Sequence, residues 1–149
     1  GQCDLLAEAR TRMPAFIGRA LPDGNRFVLA LLSRILARQI RHPTRGWGLR
    51  RGLYVHGVAT PLEYLRLTAQ YTSVGRIGNI RCPTFVANAE NDEIGATGPL
   101  LFAALTAPKT YRRFLAAEGA GAHCESGART LFNQVAFDWL DGILALGKA

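Results

Sequence analysis

Two short apolar runs in the second half of the sequence constrain its fold more than any other feature. Residues 84–87 are β-branched, aromatic or small and follow Pro83, which is typical of a buried strand. Residues 110–116 indicate a second strand, whose edge is exposed enough to tolerate Arg112 and Arg113. A helix is predicted from Gly98 between the two strands, and an amphipathic helix from Gly127 after them. The core face of that last helix is predicted to carry Leu131, Val135, Trp139 and Ile143. The order strand-helix-strand-helix predicts an α/β fold with a parallel sheet.

The preceding residues, 1–78, are poor in strand signals and are predicted to be mainly helical. One helix is predicted from Phe27 until His42-Pro43, because a residue before proline is disfavoured in the α region. Its apolar face is predicted to comprise Phe27, Leu31, Leu32, Ile35, Leu36 and Ile40. Thr60 and Glu63 have capping-box spacing, which predicts another helix from Pro61. We therefore divide the chain into a helical segment, residues 1–78, and an α/β segment, residues 79–149.

Each predicted strand is followed by a loop that carries a chemically active side chain. Asp92 follows the first strand, and His123 lies in the glycine-rich loop after the second, 31 residues later. One strand-helix-strand unit brings such loops side by side at the carboxyl edge of a parallel sheet. There an aspartate can hold an imidazole in one tautomer while the imidazole takes a proton from a nucleophile. Each residue alone is more often a cap, a turn or a surface residue, so the hypothesis rests on the pair.

Composition and cysteine content restrict the class of protein. A hydrophobic fraction of 48% and a charged fraction of 19% are typical of a globular protein. No apolar run approaches the roughly 18 residues that a membrane span needs. The start, Gly-Gln-Cys-Asp, has neither Met nor a basic n-region, so we expect no signal peptide and expect the chain to be the remainder of a longer protein. Three scattered cysteines predict neither a disulfide framework nor a zinc site, and a reducing cytoplasm is the expected compartment.

The net charge of +7 comes mainly from arginine. One interpretation is a nucleic-acid patch, because arginine pairs with phosphate and nearby aromatic rings stack on bases. The other is a solvated helix face, and we favour it because no nucleic-acid-binding motif accompanies the charge. The clustered arginines are Arg34, Arg38, Arg41, Arg45, Arg50 and Arg51.

Several stretches resemble the C-terminal portion of one group of α/β-hydrolases. They are IRCPTFV (80–86), AENDEI (89–94), PK (108–109), EGAGAHCE (118–125) and FDWLD (137–141). Residues 47–52 and 61–64 resemble the helical cap segment of the same group, and residues 1–5 resemble the segment that comes directly after the strand beyond its nucleophile elbow. The group contains 2,6-dihydropseudooxynicotine hydrolase, fungal polyketide-shortening hydrolases and bacterial dipeptidyl aminopeptidase-like or acylaminoacyl-peptidase-like proteins.

The resemblance implies a fold, an activity and two site residues. The fold would be the C-terminal part of an α/β-hydrolase, preceded by a helical cap. Asp92 would be the acid and His123 the base of a Ser-His-Asp serine hydrolase that cleaves an ester, an amide or an activated C–C bond. The full-length protein would act on a small-molecule substrate without a cofactor.

The nucleophile that the resemblance requires is missing from the sequence. The family places a serine in a Gly-x-Ser-x-Gly elbow, and none of Ser33, Ser73 and Ser126 lies in that pattern. We therefore expect the elbow and the oxyanion hole before Gly1, and expect this chain alone to be inactive. Cys82 lies at the wrong end of a strand to replace the serine, and the side chain of Cys124 is expected to point away from the imidazole.

Two alternatives from other functional classes stay open. The first is a truncated, non-catalytic interaction module that pairs with a second copy or with a separate N-terminal half through an open sheet edge. The second, less favoured, is a basic nucleic-acid-binding domain.

Overall fold

The protein is represented by a computed structural model that describes residues 2–11, 13–20, 24–44, 46–92 and 94–146. The chain divides into two compact units. The helical unit comprises Asp4–Thr72, and the α/β unit comprises the chain from Ser73 onward together with the segment at Gln2 and Cys3. These units are defined by packing alone, so the functional division into a cap and a hydrolase core at residue 78 stays a prediction.

The described residues of the helical unit form five helices. They are α1 (Leu5–Thr11), α2 (Ala15–Ala20), α3 (Arg26–Gln39), α4 (Trp47–His56) and α5 (Pro61–Leu67), and a 3₁₀ turn at Thr68–Gln70 follows. The buried side chains that hold them together are Leu6, Ile17, Leu29, Leu32, Leu36 and Leu65. The capping box predicted for α5 is confirmed, since Glu63 N donates to Thr60 Oγ1 and Thr60 N donates to the Glu63 carboxylate.

Helix α3 lies where the sequence predicts it, but its buried face is only partly the predicted one. Leu32 and Leu36 are buried as expected, together with Leu29, which the prediction did not include. Three predicted core residues are exposed instead, namely Phe27 at 77%, Leu31 at 49% and Ile35 at 44%. Apolar residues occupy adjoining stripes of this helix, and helical spacing alone does not determine which stripe packs on the neighbouring helices.

The arginine cluster includes at least one structural side chain. The Arg50 guanidinium donates to the carbonyl oxygens of Ile40, His42 and Pro43, just beyond the C-terminal end of α3. Arg51 lies over the Trp47 ring. Arg45 lies outside the described residues.

The α/β unit contains β1 (Thr84–Ala89), α6 (Gly98–Ala104), β2 (Lys109–Phe114) and α7 (Arg129–Leu146). Short 3₁₀ helices lie at Ile77–Asn79, Ala116–Glu118 and His123–Glu125. The strands are parallel, with Thr84 opposite Lys109 and Ala89 opposite Phe114. The predicted α/β pattern with a parallel sheet is confirmed, and in the described part of the chain that sheet has two strands.

Helix α7 packs on this sheet with the face that its spacing predicts. Leu131, Val135, Trp139 and Ile143 of α7 are half-buried. Trp139 contacts the Phe85 ring at 5.5 Å, and its Nε1 donates to Thr110 Oγ1 at 3.0 Å. Phe114, at the end of β2, is fully buried. No helix within the described ranges is both long and apolar enough to cross a bilayer.

Candidate functional site

Asp92 lies in the loop directly after β1, with a side chain that is only 7% exposed. Its Oδ1 accepts a hydrogen bond from Ile94 N at 2.8 Å and another from His123 Nδ1 at 2.9 Å. Burial by itself raises the pKa of Asp92, but hydrogen bonds from Ile94 N, His123 and Gly95 N more than offset it. The net result is a pKa below the ordinary value of 3.8, so this carboxyl group is ionised at neutral pH.

His123 is the first residue of the 3₁₀ helix His123–Glu125, in the loop between β2 and α7, and its side chain is half exposed. An ionised carboxylate can only accept hydrogen bonds, so the proton in the contact with Asp92 belongs to His123 Nδ1. The neutral ring then has its lone pair on Nε2, where it can accept a proton. The two residues meet as the strand order predicted, and their catalytic role stays a prediction.

Backbone and side-chain hydrogen bonds join the two loops that carry this pair. Asn91 N donates to Gly121 O at 2.9 Å. The Glu90 carboxylate accepts from Ala116 N at 2.9 Å and from Arg113 Nη2 at 3.2 Å. Gly121 packs against the start of the 3₁₀ helix Ala116–Glu118, where an added Cβ would be 2.7 Å from Ala116 Cα. The acid and base loops are therefore held at a fixed separation.

The expectation that the Cys124 side chain points away from the imidazole is wrong. The side chain points toward the imidazole, with Sγ 3.2 Å from His123 Nε2. The backbone of Cys124 is left-handed, with φ 56° and ψ 28°, which redirects the side chain. A left-handed cysteine is uncommon, and nothing in the sequence indicated it. The Cys124 carbonyl accepts from Arg129 Nη1 at 2.8 Å, which anchors the turn.

Glu125 is a site residue that the sequence analysis missed. It is buried, it is also left-handed with φ 51°, and its carboxylate lies 4.0 Å from Arg129. Burial raises the pKa of Glu125 above its ordinary value of 4.5. Glutamate is usually exposed, so neither the type nor the position of this residue in the sequence indicated that it would be buried at the site.

These side chains line one open cleft of about 430 Å³. Its polar side is formed by Asp92, His123, Cys124, Glu125 and Arg129, and Gln2 also contributes. Its apolar walls are Phe85, Val86, Ala87, Ile94, Leu101 and Phe132. Within the part of the chain that the structure describes, no group of three or more His, Cys, Asp or Glu side chains is arranged to hold a metal ion.

Comparison with known proteins identifies two similar hydrolases. Hydrolase acrC of Aspergillus aculeatus is 29% identical over 93% of this chain, which corresponds to 34% of the relative's length. The 20-hydroxy-prefusarin hydrolase FUS2 of Gibberella moniliformis is 29% identical over 99% of this chain and 37% of its own length. The chain thus spans about a third of the length of the curated relatives it matches.

No protein-family model matches the sequence, and no solved structure is significantly similar to it. Both relatives carry the name hydrolase, and both cover nearly the whole of this chain. This chain is therefore similar, over nearly its whole length, to about a third of each of two proteins named hydrolases.

Proposed function

We propose that Asp92 and His123 are the acid and the base of a Ser-His-Asp hydrolase of the α/β-hydrolase fold, in which this chain forms the cap and the C-terminal part. The bond cleaved would be an ester, an amide or an activated C–C bond of a small molecule. The observation that carries the proposal is the 2.9 Å hydrogen bond between Asp92 Oδ1 and His123 Nδ1, with Nε2 left to accept a proton beside a cleft.

In this mechanism Nε2 takes the proton of a nucleophilic hydroxyl as that hydroxyl attacks the substrate carbonyl. The ring becomes an imidazolium, and the ionised Asp92 stabilises its positive charge through the Nδ1–H bond. The imidazolium then returns the proton to the leaving group, which departs and leaves an acyl ester on the nucleophile. A water molecule that gives its proton to Nε2 attacks this ester, and the imidazolium returns that proton to the nucleophile as the acid product leaves. The Asp92 carboxylate is largely buried while the ring is half exposed, so solvent screens their attraction in part.

The serine itself is proposed to lie outside these 149 residues, since no serine in the sequence occupies a Gly-x-Ser-x-Gly elbow. The chain alone would then not hydrolyse its substrate. The apolar walls of the cleft favour a small, largely apolar substrate. No step of this mechanism requires a cofactor.

A chimera tests the proposal. The third of acrC that matches this chain would be replaced by residues 1–149, and the product would be treated with a serine-reactive fluorophosphonate. We expect labelling of the chimera and of acrC, strong reduction in His123→Asn and Asp92→Asn, and no effect of His42→Asn, which changes an exposed histidine of the helical unit. This chain alone should stay unlabelled.

Two results would contradict the proposal. One is a folded, monodisperse chimera whose labelling does not depend on His123. The other is robust labelling of the isolated chain, which would place a reactive serine among Ser33, Ser73 and Ser126.

A further inference from the structure

Cys124 has a feature that the proposed hydrolase mechanism does not use. Its sulfur lies 3.2 Å from His123 Nε2, the imidazole nitrogen that does not contact Asp92. The other imidazole nitrogen is bound to a buried carboxylate at 2.9 Å. The imidazole of His123 therefore lies between a thiol and a carboxylate, with Cys124 at one ring nitrogen and Asp92 at the other.

The direction of the hydrogen bonds among these three side chains is set by the carboxylate. In the neutral imidazole that donates Nδ1–H to Asp92, Nε2 carries no proton and can accept one from the Cys124 thiol. This is the arrangement in which a base activates an adjacent nucleophile, because it removes the proton as sulfur attacks. Cys124 is also exposed, so an electrophile can reach it.

We propose that Cys124 is a nucleophilic thiol activated by His123, and that it forms covalent adducts with small apolar α,β-unsaturated carbonyl compounds. This goes beyond the proposed hydrolysis, and it requires only groups that this chain contains.

The reaction needs no additional reactant. Sulfur bonds to the β-carbon of the electrophile, and the electron pair of the C=C bond moves to the α-carbon as an enolate. The thiol proton passes to His123 Nε2 and then, directly or through water, to the α-carbon. One S–C bond and one C–H bond form, one S–H bond and one π bond are lost, and the imidazole is regenerated.

The surroundings of the sulfur select the class of electrophile. Thiols are soft nucleophiles and add readily to conjugated carbonyl compounds. Cys124 lines the same cleft as Phe85, Leu101 and Phe132, so the carbon skeleton of an apolar electrophile is removed from water when it binds. Arg129 also lines the cleft and supplies a positive charge near which the enolate oxygen can form.

N-ethylmaleimide, a small conjugated carbonyl compound, is a suitable probe. The native chain would be treated with a limiting amount, and adducts on each cysteine would be quantified by peptide mass spectrometry. Cys82 provides an internal reference, because it is also exposed but lies before β1, at the opposite end of the strand from Asp92. We expect Cys124 to react at least about tenfold faster than Cys82 near neutral pH, a threshold set below the roughly 10²–10⁴-fold that general-base assistance typically contributes.

Variants separate activation from simple exposure. His123→Asn should reduce the ratio of the two rates by about tenfold or more, whereas His42→Asn should leave it unchanged. Unfolding in urea should make the two rates converge. In the wild-type chain the ratio should also fall as the pH rises, because an unassisted thiol gains reactivity in base while an assisted one gains less.

An unchanged rate ratio in folded His123→Asn would overturn the proposal. If that variant does not fold, the wild-type measurements still decide the question. A ratio near one at neutral pH, or a ratio that persists in urea, would show that His123 does not activate Cys124. These outcomes are independent of fluorophosphonate labelling, which reports on a serine.

Discussion

Gly121 offers the most direct way to test how the acid and base loops are held. Its carbonyl accepts from Asn91 N at 2.9 Å, which joins the loop of Asp92 to the loop of His123. A Cβ at this position would lie 2.7 Å from Ala116 Cα and 2.9 Å from Ala116 N. Because these are backbone atoms, no side-chain rotation can relieve the overlap. Gly121→Ala must therefore shift the loop of His123, to which both Gly121 and Ala116 belong.

The cost can be estimated from the contacts. Inserting a methyl group into a closely packed site typically costs about 1–3 kcal/mol. If the loop moves enough to break the bond with Asn91 N, a further 0.5–1.5 kcal/mol or so is lost. The same movement should separate His123 from Asp92. We expect Gly121→Ala to destabilise the α/β unit and to change the imidazole tautomer.

Trp139 can report on the α/β unit alone if Trp47, the tryptophan of the helical unit, is replaced by phenylalanine. Urea unfolding followed by Trp139 fluorescence would give the change in the free energy of unfolding, and ¹⁵N NMR of the histidine rings would give the tautomer. Gly142→Ala is the matched control, because an added Cβ there meets nothing within 4 Å. In helix α7 that change should stabilise by about 0.5–1 kcal/mol. A Gly121→Ala protein with wild-type stability and an unchanged His123 tautomer would refute the reasoning.

Three further predictions concern charge and capping. The pKa of Asp92 lies below 3.8, so its contribution to stability is present above that pH and is lost as the pH falls through the folded-state pKa. Asp92→Asn should therefore cost about 1.5–3 kcal/mol near neutral pH and progressively less in acid, and a difference that does not depend on pH would contradict this. Burial raises the pKa of Glu125 in the folded chain. The stability linked to its protonation is fully present below pH 4.5 and is lost as the pH rises through the raised pKa. Glu125→Gln should then be more stable than wild type near neutral pH but not below pH 4.5. Urea unfolding at the two pH values measures this, and a variant that is less stable than wild type at neutral pH would be contrary to the prediction. Thr60→Ala should lower the stability of the helical unit by about 1 kcal/mol, because it removes the capping side chain of α5. Thermal unfolding followed by circular dichroism measures this, with Thr60→Ser as the control. An unaffected transition in Thr60→Ala would count against the observed capping box.

The features that sequence predicted well are those set by local chemistry. Pro83 and the β-branched run after it predicted β1, and Thr60 with Glu63 predicted the start of α5. The alternation of strands and helices predicted parallel pairing, and this pairing brought Asp92 and His123 together. Each of these signals depends on residues close together in the sequence, or on the geometry of one strand-helix-strand unit.

The features that sequence did not predict depend on tertiary packing or on backbone angles. The exposure of Phe27 and the burial of Leu29 were both contrary to the predicted face of α3, since that choice is made by the neighbouring helices. The position of the Cys124 sulfur results from a left-handed backbone at a residue that rarely adopts one. Burial of Glu125 depends on the same turn, so one unusual conformation accounts for both errors at the site.

The site also contains a competition that can be measured. His123 Nε2 has a single lone pair, and the Cys124 thiol lies 3.2 Å from it. In the proposed hydrolase a serine hydroxyl must donate to the same nitrogen, so the two nucleophiles cannot both be activated at once. An adduct on Cys124 would in addition fill part of the cleft. In the acrC chimera, prior treatment with N-ethylmaleimide should therefore block fluorophosphonate labelling, and Cys124→Ala should restore labelling in treated protein while Cys82→Ala should not. Full labelling of treated chimera that carries the Cys124 adduct would show that the thiol and the serine do not share His123, and that the imidazole serves only one of the two proposed reactions.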